Sequence, residues 1–170
     1  KNLKGYNTDV YGFRESIKPY LASHHDRALI LGTGGAAKAV AYVLKEMGIG
    51  YYFVARNKLR TNPDSYRDQE PKTNTLEYGE LNQNTINAFP FIINTTPLGM
   101  YPNTNEFPVI PYEYLSSKHF LYDLIYNPQE TIFLKHGKEK GALTLNGLSM
   151  LHFQAEKTWE IWNDGNTHLS

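Results

Sequence analysis

The sequence predicts an α/β domain, a mostly parallel sheet with helices on both faces. Three observations predict it. Short continuous apolar runs recur along the chain, Ala28 to Leu31 and Phe91 to Ile93 among them, and strands buried on both faces read this way. The spacing between runs leaves room for crossover helices, which is the pattern of βαβ units. The first run leads into a glycine-rich turn, Gly32-Thr33-Gly34-Gly35, followed by small and apolar residues at helical spacing.

Each element rests on local signals. A first helix is expected from about Val10 to Leu21, with Thr8 as N-cap. Ala28 to Leu31 is a buried strand. Ala36 to Met47 forms a helix that stops at Gly48, a suitable C-cap. Tyr51 to Val54 is the second strand. Asn57 to Asn74 is polar and carries Pro63 and Pro71, so a loop with at most a short helix is expected there. Thr75 to Tyr78 is a weaker strand, Phe91 to Ile93 a clear one closed by Asn94, and His119 to Asp123 another. Leu143 to Leu145 completes the series. A last helix should run from about Leu148 to Trp162, with Leu148, Leu151, Ala155, Thr158, Trp159 and Trp162 near one face.

Composition narrows the function. The chain has 170 residues, 41% of them hydrophobic, with 17 Lys+Arg against 17 Asp+Glu. That balance gives no basic field for nucleic acid or an anionic membrane surface. The chain has no cysteine, which excludes disulfides, thiolate metal sites and a Cys nucleophile. The six histidines show neither H-x-x-x-H nor H-E-x-x-H spacing, so no metal is expected. No apolar run approaches the roughly 18 residues that cross a bilayer, and the polar start lacks a secretory h-region. A single domain spanning 1–170, cytoplasmic and without nucleic-acid or membrane partners, is the expectation.

The glycine-rich turn fits G-x-G-x-x-A between a strand and a helix, the fingerprint of a doubly wound, Rossmann-type dinucleotide fold. Gly32 makes the tight turn, Gly34 lets the backbone approach a pyrophosphate, and Ala37 keeps the helix close to the sheet. The N–H groups of the helix N-terminus, from Gly35 and Ala36 onward, then meet the phosphates. NAD sites usually carry an Asp or Glu at the end of the second strand, about 20 residues on. Here the strand ends in Arg56-Asn57-Lys58-Leu59-Arg60. A guanidinium pairs with a 2′-phosphate instead, so NADP(H) is the expected cofactor, with Lys58 and Arg60 as further cations. Asn94-Thr95-Thr96-Pro97 follows a strand end, where a turn near the ribose is expected.

Gly5-Tyr6-Asn7-Thr8-Asp9-Val10-Tyr11-Gly12 resembles the G-x-N-T-D-x-x-G motif of shikimate dehydrogenases. Further segments are similar in the same order: Gly32 to Ala37, Arg56, Ile93-Asn94-Thr95-Thr96-Pro97-Leu98-Gly99-Met100, Tyr122-Asp123-Leu124-Ile125-Tyr126-Asn127-Pro128, and Asn146-Gly147-Leu148-Ser149-Met150-Leu151-His152-Phe153-Gln154. The resemblance implies reversible, NADP-dependent reduction of 3-dehydroshikimate to shikimate, in aromatic amino-acid biosynthesis, by a two-domain enzyme. Carried over, it makes Asp9 a catalytic residue and places Asn7, Thr8, Asp9, Tyr126 and Gln154 at the substrate. It places Gly34, Gly35, Ala36 and Arg56 on NADP, and Leu124 and Gly147 around the nicotinamide.

Four departures stand out. The substrate domain with the family's catalytic Lys is not in this chain, Asn57 replaces a usual Thr, Pro63 interrupts an expected helix, and Ser149 stands where Gly is common. The chain is therefore expected to bind cofactor without turning over. Residues 1–22 and 147–163 are expected to face the substrate domain, and apolar surface around Phe153 and Trp159 to favour a homodimer. Two alternatives stay open: a quinate/shikimate dehydrogenase with relaxed cofactor use, and a non-catalytic dinucleotide-sensing module.

Overall fold

A computed structural model describes residues 7–57 and 74–164. Among them six parallel strands form one sheet in the order β3-β2-β1-β4-β5-β6. The strands are β1 (Arg27–Leu31), β2 (Gly50–Ala55), β3 (Thr75–Glu77), β4 (Phe91–Asn94), β5 (Phe120–Asp123) and β6 (Leu143–Leu145). This is the strand order of the doubly wound fold, with its switch point between β1 and β4. The helices are α1 (Thr8–Ile17), α2 (Gly35–Glu46), α3 (Gln83–Ala88), α4 (Ile132–Glu139) and α5 (Leu148–Asp164).

The central runs of β1, β4 and β5 are apolar because each of these strands feeds two cores. Ala28, Ile30, Phe91, Ile93, Phe120 and Tyr122 point to one face, where Phe13 and Ile17 of α1 and Val40, Val43 and Leu44 of α2 cover them. The intervening Leu29, Leu31, Ile92 and Leu121 point to the other, with Ile86 of α3 and Phe133 and Leu134 of α4. The period of two is there, but with both faces buried it leaves no polar alternation to read. On the first face Phe91 and Phe120 stack with ring centroids 4.7 Å apart and planes within 4° of parallel. Gly137 lets α4 close on the second, since a Cβ there would lie 2.5 Å from Leu121 Cδ2.

The ends of α1 differ from the sequence expectation. The N-cap is Asn7 rather than Thr8: Asn7 Oδ1 accepts from the N–H groups of Asp9 (3.1 Å) and Val10 (3.4 Å). Both residue types cap well, and the tie is broken one residue earlier than the spacing implies. The helix stops at Ile17, not Leu21, because Pro19 sits in a tight 3₁₀ turn over Lys18–Tyr20. Two short helices, α3 and α4, have no counterpart in the sequence expectation. Each is capped by a side chain, Asn82 on Thr85 N and Thr131 on Leu134 N. The loop expected over 57–74 lies almost wholly outside the described residues.

The first and last helices pack closely through Gly12 of α1. A Cβ at Gly12 would lie 2.6 Å from both Gln154 Cγ and the Met150 carbonyl oxygen. Gly12→Ala should therefore destabilise the fold by about 1–3 kcal/mol through overpacking, read as a lower urea midpoint at unchanged m-value.

At the opposite end of the strands, His25 is buried beside Phe91 and Phe120. Its Nδ1 accepts the Ala22 N–H at 3.0 Å. Burial, reinforced by neighbouring His24, holds its pKa below the usual 6.5. The stability that goes with neutral His25 is complete above pH 6.5 and is lost as pH falls through 6.5 toward the lower folded-state value. His25→Asn keeps an acceptor for Ala22 and removes this titration. Urea midpoints measured against pH should decline less steeply below pH 6.5 in the variant than in the parent.

Candidate active site and dinucleotide cleft

The glycine turn sits where β1 ends. Gly32 has φ +108°, a backbone region that L side chains rarely adopt. A Cβ there would also lie 2.8 Å from Thr95 Oγ1. Thr95 is held by its N–H (3.0 Å) and Oγ1 (2.6 Å), both donating to the Leu31 carbonyl. Gly34 and Gly35 differ from Gly32, since nothing lies within 4 Å of an added Cβ. Gly34 is the N-cap of α2 and has no side chain to satisfy the first helical N–H groups. Those groups and the positive end of α2 are left for an anion.

Two adjoining cavities lie along the carboxyl ends of the strands. The larger, about 790 Å³, is lined by Gly32, Gly34, Arg56, Asn57, Thr95 and Thr96, with Tyr78 and Leu98. The smaller, about 460 Å³, is lined by Ala36, Thr95, Thr96, Leu124, Ile125 and Tyr126. Thr95, Thr96 and Pro97 belong to both, so the two spaces form one cleft that crosses the switch point. Most of the residues expected at a dinucleotide are therefore gathered on one cleft. Lys58 and Arg60 lie outside the described residues.

Arg56 is exposed at the end of β2. Facing it is Tyr78, which sequence reasoning misses because one tyrosine among thirteen carries no signal. Burial raises the Tyr78 phenol pKa, and the Arg56 charge opposes that rise. A cation and an aromatic face thus share one end of the larger cavity. Among the described residues, no carboxylate lines it.

At the other end, Tyr126 is exposed and Leu124 half-buried. Gly147 is not on the cavity surface. It lies behind Leu124, whose carbonyl oxygen would be 2.0 Å from an added Cβ. The Gly147 N–H donates to the Ile125 carbonyl at 3.1 Å. The start of α5 is thereby fastened to the cleft wall.

Asp9 and Gln154 come together across the α1–α5 crossing. Gln154 Nε2 donates to Asp9 Oδ1 at 2.5 Å, joining residues 145 positions apart. Asn7 is engaged at the cap of α1 and Thr8 is half-buried in its first turn. Gln154 lies on α5 about 9 Å along the axis from Leu148, given 1.5 Å per residue.

Behind the cleft is a buried polar network whose members Asn94 and Asp123 stand in two of the family-like segments without a role assigned there. Asp123, at the end of β5, is fully buried. It accepts from Asn94 Nδ2 (3.1 Å), the Ile125 N–H (3.1 Å) and Thr131 Oγ1 (2.6 Å). Burial pushes its carboxyl pKa up to about 6 against these three bonds. Among the described residues no group of His, Asp or Glu is placed to hold a metal ion, and no helix is long and apolar enough to cross a membrane.

No family model matches the chain. Among curated proteins, an NADP-dependent shikimate dehydrogenase of Carboxydothermus hydrogenoformans is 41% identical over 163 residues. The match takes 94% of this chain and 58% of that protein. A chorismate mutase/shikimate 5-dehydrogenase fusion protein from Clostridium acetobutylicum superposes with TM-score 0.75 at 38% identity, over 94% of this chain and 55% of the other. A shikimate dehydrogenase crystallised with NADP+ gives TM-score 0.73 at 31% identity, over 93% and 56%. The chain spans a little over half the length of the curated relatives it matches. Within that span the ordered motifs, the strand order and the superpositions agree: over 94% of its length the chain is similar to shikimate dehydrogenases.

Proposed function

We propose that this chain is the cofactor-binding part of an NADP-dependent shikimate dehydrogenase. The whole enzyme would reversibly reduce 3-dehydroshikimate to shikimate. The observation that carries the substrate side of this reading is the Asp9–Gln154 hydrogen bond. A dinucleotide cleft serves many reactions, whereas this pair unites the two motifs that the resemblance assigns to the substrate.

The cleft suits NADP(H). The open space above Gly34 and Gly35 admits a pyrophosphate onto the backbone, and the uncapped start of α2 supplies N–H donors. Arg56 supplies the bidentate partner for a 2′-phosphate. Thr95 and Thr96 stand midway along the cleft, and Leu124 and Tyr126 flank its far end. When bound, NADPH supplies the hydride. Asp9 would orient a substrate hydroxyl, steadied by Gln154. On the resemblance, the Lys that protonates the developing alkoxide belongs to the substrate domain, so this chain alone would bind cofactor without turnover.

The same reading sets the exposed side of α5 against that domain. Leu148, Leu151, Trp159 and Trp162 are exposed there, the two tryptophans at 71% and 73%. Residues 7–22 would adjoin it as well, and residues 1–6 lie outside the described residues. In the absence of that domain, the apolar face would favour a homodimer.

Calorimetric titration of the chain with NADPH and with NADH tests the cofactor half. NADPH should bind the more tightly, and Arg56→Ala should remove the preference. Each charge-assisted hydrogen bond lost is worth about 1.5–3 kcal/mol, so the NADPH affinity should fall at least tenfold while NADH binding holds. Equal binding of both cofactors by the parent chain would point to relaxed cofactor use, and no binding of either would overturn the reading. For the substrate half, Asp9→Asn in the complete enzyme should lower turnover by two or more orders of magnitude, on the order of a positioned catalytic group. NADPH affinity should be unchanged. Equal losses in both would remove Asp9 from the reaction.

A further inference from the structure

The wall of the cleft rests on a carboxylate that neither cofactor nor substrate binding uses directly. The donors to Asp123 divide between its two oxygens. Asn94 Nδ2 and the Ile125 N–H meet its Oδ1, and Thr131 Oγ1 meets its Oδ2. All three are donors, the arrangement an ionised carboxylate needs. Two of them reach the cleft. Ile125 lines the smaller cavity directly. Asn94 transmits the constraint: its Oδ1 accepts from Thr96 N–H (3.0 Å) and Thr96 Oγ1 (2.6 Å), and its amide nitrogen also reaches the Leu98 carbonyl (3.5 Å). Thr131, the N-cap of α4, anchors the carboxylate from behind.

We propose that Asp123 is a positioning residue for the cofactor: its ionised carboxylate, acting through Asn94, holds the turns after β4 and β5 at the separation that admits the nicotinamide half of the dinucleotide. The proposal rests on the NADP(H) reading and adds a group that regulates the same site.

A purely stabilising role does not account for this carboxylate. Its folded-state pKa of about 6 lies above the ordinary 3.8. Stability contributed by the protonated form is therefore complete at acid pH and lost as pH rises through about 6. Near neutrality the fold holds an ionised group whose burial works against it, and the bonds so gained converge on the cleft. Among the described residues, Tyr112 and Tyr122 are titratable groups that feel this charge. Burial raises both phenols, Tyr122 to about 12, so both stay neutral while Asp123 titrates. The other side chains meeting it, Asn94 from β4 and Thr131 from α4, are uncharged.

Two measurements on the chain test this. In the free protein, the amide resonances of Thr96 and Ile125 are followed against pH. Both should move with one midpoint near 6, that of Asp123. NADPH is then titrated into the parent and Asp123→Asn across the same range. Above the midpoint the variant should bind about tenfold more weakly, roughly the worth of one charge-assisted hydrogen bond. Below it the two affinities should converge. The cofactor's own 2′-phosphate titrates near pH 6, but equally for both proteins, so it cancels in the ratio. If Asp123→Asn does not fold, NADH, which lacks that phosphate, replaces NADPH on the parent alone, and its binding should weaken as pH falls through the amide midpoint.

Amides that do not share a midpoint, or an affinity ratio constant with pH, would overturn the positioning role. So would shared amide titration with pH-independent NADH binding. A parent chain that binds neither cofactor at any pH would instead overturn the NADP(H) reading and the role together.

Discussion

The parallel pairing of β1 with β4 is the interaction on which the site depends. It sets Leu31 level with Asn94, although more than sixty residues separate them in sequence. The segments leaving the two strands are thereby forced alongside each other: the Gly32 turn meets Thr95, and Thr95 closes on the Leu31 carbonyl with both its N–H and its hydroxyl. Parallel strands end on the same side of a sheet, and on either side of the switch point the connections leave in opposite directions. The cleft is the gap between those departures. Gly32 is confined by it, because the φ of the turn and the nearness of Thr95 each exclude a side chain. Gly34 and Gly35 are not confined, and their open surface is what an incoming phosphate would use.

Much of this is legible in the sequence, for physical reasons that differ by element. β1, α2 and β4 are readable because burial on both faces, helical spacing and a terminal glycine all act locally. The placement of the dinucleotide fingerprint rests on the same signals. The N-terminus of α1 differs from the expectation by one residue, because Asn7 and Thr8 are both competent caps and only the geometry of Oδ1 decides between them. Helices α3 and α4 are too short to show a period, and their capping residues, Asn82 and Thr131, lie in stretches that look like ordinary turns. The resemblance puts Gly147 at the nicotinamide wall, and the structure places it one layer behind, against the Leu124 backbone. Nothing in Phe120-Leu121-Tyr122-Asp123 announces that its last residue is fully buried. Only the convergence of Asn94, Ile125 and Thr131 reveals that.

Two buried titratable groups, His25 and Asp123, bracket the sheet and act in opposite senses. His25 lies ahead of β1 with its pKa depressed by burial, so its contribution to stability is lost on acidification. Asp123 lies at the end of β5 with its pKa raised by burial, so its contribution is lost on going toward neutrality. Their contributions to the pH dependence of stability on the acid side of neutrality therefore oppose each other. The asymmetry is in their neighbours. His25 touches aromatic rings of the core, whereas Asp123 touches the walls of the cleft.

The contact of Gly12 with Met150 and Gln154 joins the first helix to the last. On a ribosome, α1 emerges well before its partner exists. The side of α1 that meets α5 must wait until some 140 further residues have been added. Closing so long a loop is a slow, entropically costly event that local helix formation does little to hasten. Asp9 and Gln154 meet only when that loop closes. The pair assigned to the substrate is therefore among the last parts of the domain to be assembled during synthesis.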